Sequence, residues 1–201
     1  MSNALELLDW RRAVHALYAE VRRVRAVDPA AAHARWRARR DELLADHPQS
    51  PLPPEQRPSF EGVPYFPYDP GFAFEAHLDT DVPTSVWELP SSDGTPMGAT
   101  RVAVASTPLG PLDCYWLDGY AGGLFVPLRD LTSGPETYGG GRYVLDTCKG
   151  ADLGSTPAGL LVLDLNFAYH PSCHYDARWA CPLAPPGSRL EQAVRAGERS
   201  L

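Results

Sequence analysis

The chain has 201 residues, a formal charge of −7 and a pI near 5.3. That length can bury a proper core within one domain. The acidic balance argues against a nucleic-acid partner, which needs gathered Lys and Arg to neutralise phosphates. No apolar run reaches the roughly 18 residues of a membrane helix, and Met1-Ser-Asn-Ala-Leu-Glu6 lacks the basic start and apolar core of a signal peptide. A cytoplasmic address is therefore expected, with no membrane partner and with the four cysteines as thiols.

From Asn3 the pattern is helical: Leu7, Trp10, Val14, Leu17, Val21 and Val24 step by three and four and stack on one stripe. Such a stripe packs on the rest of the domain; its spacing also fits the seam of a homodimer through the N-terminal helix. Asp28-Pro29 restarts a helix, since Asp caps well and Pro is tolerated at the first helical position. This second helix runs over Trp36, Leu43 and Leu44 to about His47-Pro48 and carries the basic cluster Arg35, Arg37, Arg39 and Arg40, read as a solvated face. Residues 1–47 thus form a helical arm. Residues 48–59, with five prolines between Pro48 and Pro58, form an extended strap.

Residues 60–201 read as a β domain. Phe72, Phe74, Ala76 and Leu78 alternate with Glu75 and His77. Further strands are predicted over 84–89, 100–106, 112–117, 124–128 and 160–165, separated by turn signals such as Ser92-Asp93-Gly94 and Asp118-Gly119. The fold class is α+β: an N-terminal helical pair, then a mostly antiparallel β-sandwich or small β-barrel. Ser188-x-x-Glu191 before Leu190, Ala193 and Val194 predicts a short closing helix ending at Gly197.

Two polar stretches each follow an apolar strand. One is Asp130 to Tyr143 (DLTSGPETYGGGRY), the other Asp164 to Tyr175 (DLNFAYHPSCHY). Together with Cys181 to Pro186 (CPLAPP) and Ala196 to Glu198 (AGE), and with the upstream HPQSPL at His47 and FEGVPYF at Phe60, they resemble the bacterial and archaeal family known as domain of unknown function 1684. The resemblance implies a domain identity and no activity. Asn is usual in that family where His170 and Ser188 stand, so a role built on the His170 imidazole would belong to this chain alone.

The chemistry of these stretches has several readings. Gly139-Gly140-Gly141 ahead of Arg142 offers backbone N–H groups and a guanidinium to an anion, but it lacks the Lys-Ser/Thr ending of a Walker loop and reads more readily as a tight turn. Arg142 suits a carboxylate or phosphate, or an internal partner among Asp130, Glu136 and Asp164. Those carboxylates could supply an acid and a base, or cap the turns after them; Thr132, Thr137 and Asn166 have the same dual reading. His170, Cys173, His174 and Cys181 have zinc-ligand types without a standard finger spacing, so no metal or cofactor is assigned. Cys173 could be a nucleophile with His174 or His170 as base and Asp164 or Asn166 as orienter, or a packed thiol. The leading expectation is a small anionic or hydroxylated ligand in a polar cleft between the 130–143 and 164–181 loops, bound by Arg142 as anchor with Asp130, Thr132, Glu136, Tyr138, Asn166 and Tyr169. The alternatives are a hydrolase using Cys173, Asp164 and His174 or the carboxylates, and a structural or dimer-forming module without ligand.

Overall fold

The computed structural model describes residues 3–200. The helical stripe forms α1 (Asn3–Arg25), and Asp28 starts α2 (Pro29–Asp46) by accepting at 2.9 Å from the Ala31 N–H. The helices turn back on each other, joined inside by Trp36 Nε1 donating to the Tyr18 hydroxyl at 3.2 Å and outside by Arg35–Glu20. Leu17, Tyr18 and Val21 of α1 are buried, and Trp10, Val14 and Val24 pack against the same core. The seam read as a dimer face is thus filled by the protein's own core. The proline strap is less extended than expected. Ser50 Oγ donates to the Leu44 carbonyl at 2.6 Å, and Arg57 Nε gathers the Leu52 carbonyl at 3.1 Å, leaving Ser50 and Leu52 buried.

Eight strands follow: β1 (Ala73–Ala76), β2 (Leu78–Asp79), β3 (Ser85–Leu89), β4 (Met97–Thr107), β5 (Gly110–Leu117), β6 (Gly123–Leu128), β7 (Arg142–Asp146) and β8 (Leu161–Asp164). All pairings between these strands are antiparallel. The larger sheet runs β2-β4-β5-β6-β7 with β3 also on β4, and β1 pairs β8 separately. The β core is sandwich-like and does not close into a barrel. The alternating 72–78 segment splits at His77 between the two sheets, Ala73 pairing Asp164 and Leu78 pairing Ala105.

Alternation along the strands explains where the core sits. Tyr115, Phe125 and Tyr143 point to an aromatic layer under the helices with Trp36, Phe167 and Tyr169. Leu112, Cys114, Val126 and Leu128 point to an aliphatic layer with Leu161, Leu163, Leu190 and Val194. The strand β7 is an element absent from the sequence reading, which placed Arg142 and Tyr143 in a loop. The predicted closing helix is absent too. A 3-10 turn (Pro186–Ser188) leads into Arg189, which lies beside Arg129, with Arg129 N–H donating to the Ser188 carbonyl and Leu190 N–H to the Arg129 carbonyl, both at 2.8 Å. The Ser188 and Gln192 carbonyls that a helix would use accept from the Arg129 and Leu131 N–H groups instead, and the segment beyond is held by a buried arginine.

Candidate functional site

That arginine is Arg142, at the start of β7 and fully buried. Its Nη2 donates to Asp130 Oδ2 at 2.7 Å and to the Val194 carbonyl at 3.0 Å, and its Nη1 donates to the Ala196 carbonyl. Asp130 Oδ1 accepts from the Thr132 N–H at 2.7 Å and the Val194 N–H at 3.1 Å, and Thr132 and Thr137 share a hydroxyl contact at 3.1 Å. Burial pulls the Arg142 pKa down while Asp130 opposes it. This is an internal clamp on the 194–198 segment, so the expected role of Arg142 as an open ligand anchor is corrected: both its Nη groups are already engaged, and its unpartnered Nε is enclosed. The glycine run is structural as well. Gly141 has φ +97°, and a Cβ there would meet the Leu128 carbonyl oxygen and Ala184 Cβ at 2.8 Å.

The other carboxylates are also spoken for, each by a separate cation. Glu136 pairs with Arg195 through both oxygens, at 3.0 to 3.2 Å. Asp164 ends β8, accepts from the Asn166 N–H at 3.1 Å and Asn166 Nδ2 at 2.8 Å, and lies 3.4 Å from Arg25 Nε. Asn166 in turn accepts from the Asp69 N–H at 3.0 Å. Burial raises the Asp164 pKa above the ordinary carboxylate range. With Asp130, Glu136 and Asp164 tied to Arg142, Arg195 and Arg25 respectively, the expected acid–base pair does not form.

The two signature loops do fold back on each other, through different residues. The Tyr143 N–H donates to the Tyr169 carbonyl at 2.8 Å, and the Tyr138 N–H donates to His170 Nε2 at 3.2 Å. The Tyr138 hydroxyl lies 3.8 Å from Cys173 Sγ. Burial holds His170 neutral, its pKa lowered to about 2, and lowers that of His174, whose ring sits 4.2 Å from the His170 ring. Among the described residues no hydrogen bond joins an imidazole to the Cys173 thiol, so the expected Cys173–His174–Asp164 triad is not assembled. Nor does any group of three or more His, Cys, Asp or Glu there have the arrangement to hold a metal ion.

Beneath this contact lies a second buried ion pair that sequence reasoning missed. Glu198, fully buried, accepts from Arg40 Nε, from Arg40 Nη2 at 3.2 Å, from the His170 N–H at 2.6 Å and from the Tyr175 hydroxyl at 3.3 Å. The Arg40 guanidinium stacks over Tyr169, 4.8 Å from its ring centre. Arg40 was grouped with a solvated face, yet it follows Ala32 and Trp36 at intervals of four and precedes Leu43 and Leu44. That spacing puts it on the inward side of α2.

The arm and the β core enclose a cleft at this place. An outer part of about 180 Å³ lies between α1 and the 172–181 segment, lined by Trp10, Arg11, Lys149, Trp179 and Cys181 among others. An inner part of about 40 Å³, between Tyr18, Trp36, Arg40, Tyr169 and His170, shares Trp10, Lys149 and Ser172 with it. Lys149 ends a short turn (Thr147–Lys149) fixed by Asp146, whose side chain accepts from the Lys149 N–H at 3.2 Å. Gly150 follows at φ +80°, where a Cβ would strike the His15 ring of α1 at 2.7 Å, so glycine lets the helix settle on this turn. No carboxylate lines either part, and among the described residues neither Arg11 nor Lys149 has an acidic partner within ion-pair distance. Of the residues expected to bind ligand, Tyr169 is the one that lines this cleft; Asp130, Thr132, Glu136, Tyr138, Arg142 and Asn166 do not.

Two helices laid over antiparallel sheets, with a basic, aromatic-walled cleft where they meet, define an α+β protein whose polar signature residues chiefly fasten its own segments. No helix among the described residues is long and apolar enough to cross a membrane. A family model described as "Protein of unknown function (DUF1684)" matches residues 58–199, and the chain belongs to that family. It is similar to an uncharacterised protein of Haloarcula marismortui known from a solution NMR structure. The two are 35% identical over 81% of this chain and 89% of that one, with a TM-score of 0.55. No curated protein matches the chain. The matched region holds Lys149, Tyr169, His170 and Glu198, whereas Trp10, Arg11 and Arg40 stand on the arm outside it.

Proposed function

We propose that the protein binds a small anionic molecule, with or without hydroxyl groups, in the cleft between the helical arm and the 169–181 segment. The observation that carries this reading is a lining with two cations, Lys149 and Arg11, that have no acidic partner within ion-pair distance among the described residues, and no carboxylate of its own. Aromatic walls with a few convergent polar groups are the usual construction of a small-molecule site. Lys149 supplies the charge at the junction of the two parts, Arg11 attracts at the rim, and Ser172 offers a hydroxyl. Trp10 and Tyr169 provide ring faces for a flat or carbohydrate-like part. Arg40 is already neutralised by Glu198 and shapes the floor.

The test is thermal stabilisation of the wild-type chain against a panel of carboxylates and phosphate esters. A ligand at 100 times its Kd adds about 2.7 kcal/mol, which for a chain of this size is roughly 5–10 °C in Tm. Lys149→Ala should abolish the shift while leaving the unliganded Tm within about 2 °C. Absence of any stabilising compound across the panel, or a shift unchanged by Lys149→Ala, would refute the assignment.

A further inference from the structure

The two parts of the cleft differ in what they can accept. The inner part is walled by Val14 and Leu17 of α1, Leu43 of α2, Ala151 and the Trp36 and Tyr169 rings. Its polar groups mostly have partners within the protein. Trp36 Nε1 donates to the Tyr18 hydroxyl at 3.2 Å, the Tyr169 hydroxyl to Asp146 Oδ2 at 3.4 Å, and the Tyr138 N–H to His170 Nε2 at 3.2 Å. The other ring nitrogen of His170, Nδ1, faces Glu198 Oε2 at 3.6 Å, and the same carboxylate holds Arg40. A polar group entering here would leave water with little to replace it, whereas an aliphatic group loses nothing by the exchange.

The outer part presents donors instead. Arg11 and Lys149 line it without an acidic partner within ion-pair distance among the described residues. Trp179 lines it too, and its Nε1–H is enclosed with no hydrogen-bond partner among those residues. Lys149 belongs to both parts. It is half-buried, with Nζ 5.8 Å from the centre of the buried Tyr143 ring, so an anion held there sits at the junction and whatever is attached to it can run inward.

Size narrows the choice further. The inner part has about 40 Å³. A cavity of about 150 Å³ is what holds benzene, so a ring does not fit, while there is room for about three groups the size of a water or a methylene. The outer part, at about 180 Å³, is where any ring or carbohydrate-like portion goes, against Trp10.

We propose that the ligand is an amphiphilic anion: a carboxylate or phosphate monoester held at Lys149, bearing an unbranched aliphatic end of about three carbons that fills the inner part. This rests on the anion site argued above and adds what must be joined to the anion. Val14, Leu17, Leu43 and Ala151 select the chain, and the enclosed Trp179 N–H gives the head group a further donor.

The experiment is calorimetric titration of the full wild-type chain with n-alkanoates from acetate to octanoate and with the matching n-alkyl phosphates. Affinity should rise about fourfold per methylene over about three methylenes, about 60-fold in all, and then level off. A terminal hydroxyl on the hexyl member should weaken binding about tenfold. Val14→Phe, which fills the inner part, should flatten the rise; should it not fold, the wild-type series and the hydroxyl comparison decide alone. Affinity independent of chain length in both series, undiminished binding of the hydroxylated member, or a rise that persists in Val14→Phe would overturn the proposal. Lys149→Ala separates the two assignments. Binding that it abolishes but that ignores chain length overturns the aliphatic end and leaves the anion site standing; a chain-length rise that survives it overturns the anion site and leaves the inner part's preference standing.

Discussion

Replacing Glu198 by Gln should cost about 3–5 kcal/mol of folding stability, the range for breaking a buried ion pair by removing one partner. Glu198 is wholly enclosed and Arg40 nearly so, and the carboxylate accepts at once from Arg40, the His170 N–H and the Tyr175 hydroxyl. Gln keeps the shape and an acceptor oxygen but leaves the guanidinium uncompensated in an aromatic surround, where its charge is poorly solvated. At roughly 2–4 °C per kcal/mol for a chain of this length, Tm should fall by about 6–20 °C. Urea titration of wild type, Glu198→Gln, Arg40→Met and the double variant closes a double-mutant cycle. The double variant should be more stable than Glu198→Gln alone, because no orphan charge remains. A single-variant cost under about 1 kcal/mol, or strictly additive effects, would refute the view that this pair fastens the arm to the β core.

Asp130→Asn should destabilise by a similar amount, about 3–5 kcal/mol, since Arg142 keeps its carbonyl partners but loses its short carboxylate contact; chemical denaturation reads this directly. Gly150→Val should loosen α1 from the turn that bears Lys149, combining a positive-φ penalty with a clash against His15. The check is a change in intrinsic fluorescence from Trp10 together with a loss of more than about 1 kcal/mol. Acid should weaken the fold through His170 and His33, lowered by burial to about 2 and about 4. Both are neutral when folded, so their contribution is complete above 6.5 and declines as pH falls because the unfolded chain takes up the protons, by about 2.7 kcal/mol per pH unit for the two groups once both unfolded imidazoles are charged. The raised Asp146 and Asp164 carboxyls act in the opposite sense nearer the ordinary carboxylate range, so the fall is best read between pH 6.5 and 5. His170→Asn, which still offers an acceptor to the Tyr138 N–H, should reduce the slope by about 1.4 kcal/mol per pH unit, leaving the share of His33 and of His174, which burial lowers too; an unchanged slope would contradict the assignment.

The helical hairpin could be read from the chain because Asp28-Pro29 is a local start signal and the three-four spacing of α1 reports its buried face without tertiary help. The strands at 97–128 were equally plain from alternation and turns. By contrast, β7 has a run of only three apolar residues, Tyr143 to Leu145, between two charged groups, and the preceding glycines draw attention to a turn. The closing segment carried a genuine capping signal at Ser188 and Glu191. It was overridden because the Arg129 and Leu131 N–H groups take the carbonyls of Ser188 and Gln192, a demand made from far away in sequence. For the site, Asp130 was among the partners weighed for Arg142, and the Cys173 cluster was singled out. Arg40, Lys149 and Glu198 were not, since a charge has no periodicity of its own. The clue lay in the apolar neighbours of Arg40 on α2.

Both enclosed guanidiniums, Arg40 on the arm and Arg142 in the sheet, find partners within residues 194–198. During synthesis these residues leave the ribosome after almost everything they fasten. Until they emerge, Arg40 lacks its carboxylate and Arg142, though paired with Asp130, lacks its carbonyl acceptors, so the earlier-made helices and strands are held back from final closure. Residues 194–198 act as a latch, and its engagement makes arm and sheet fold as one event.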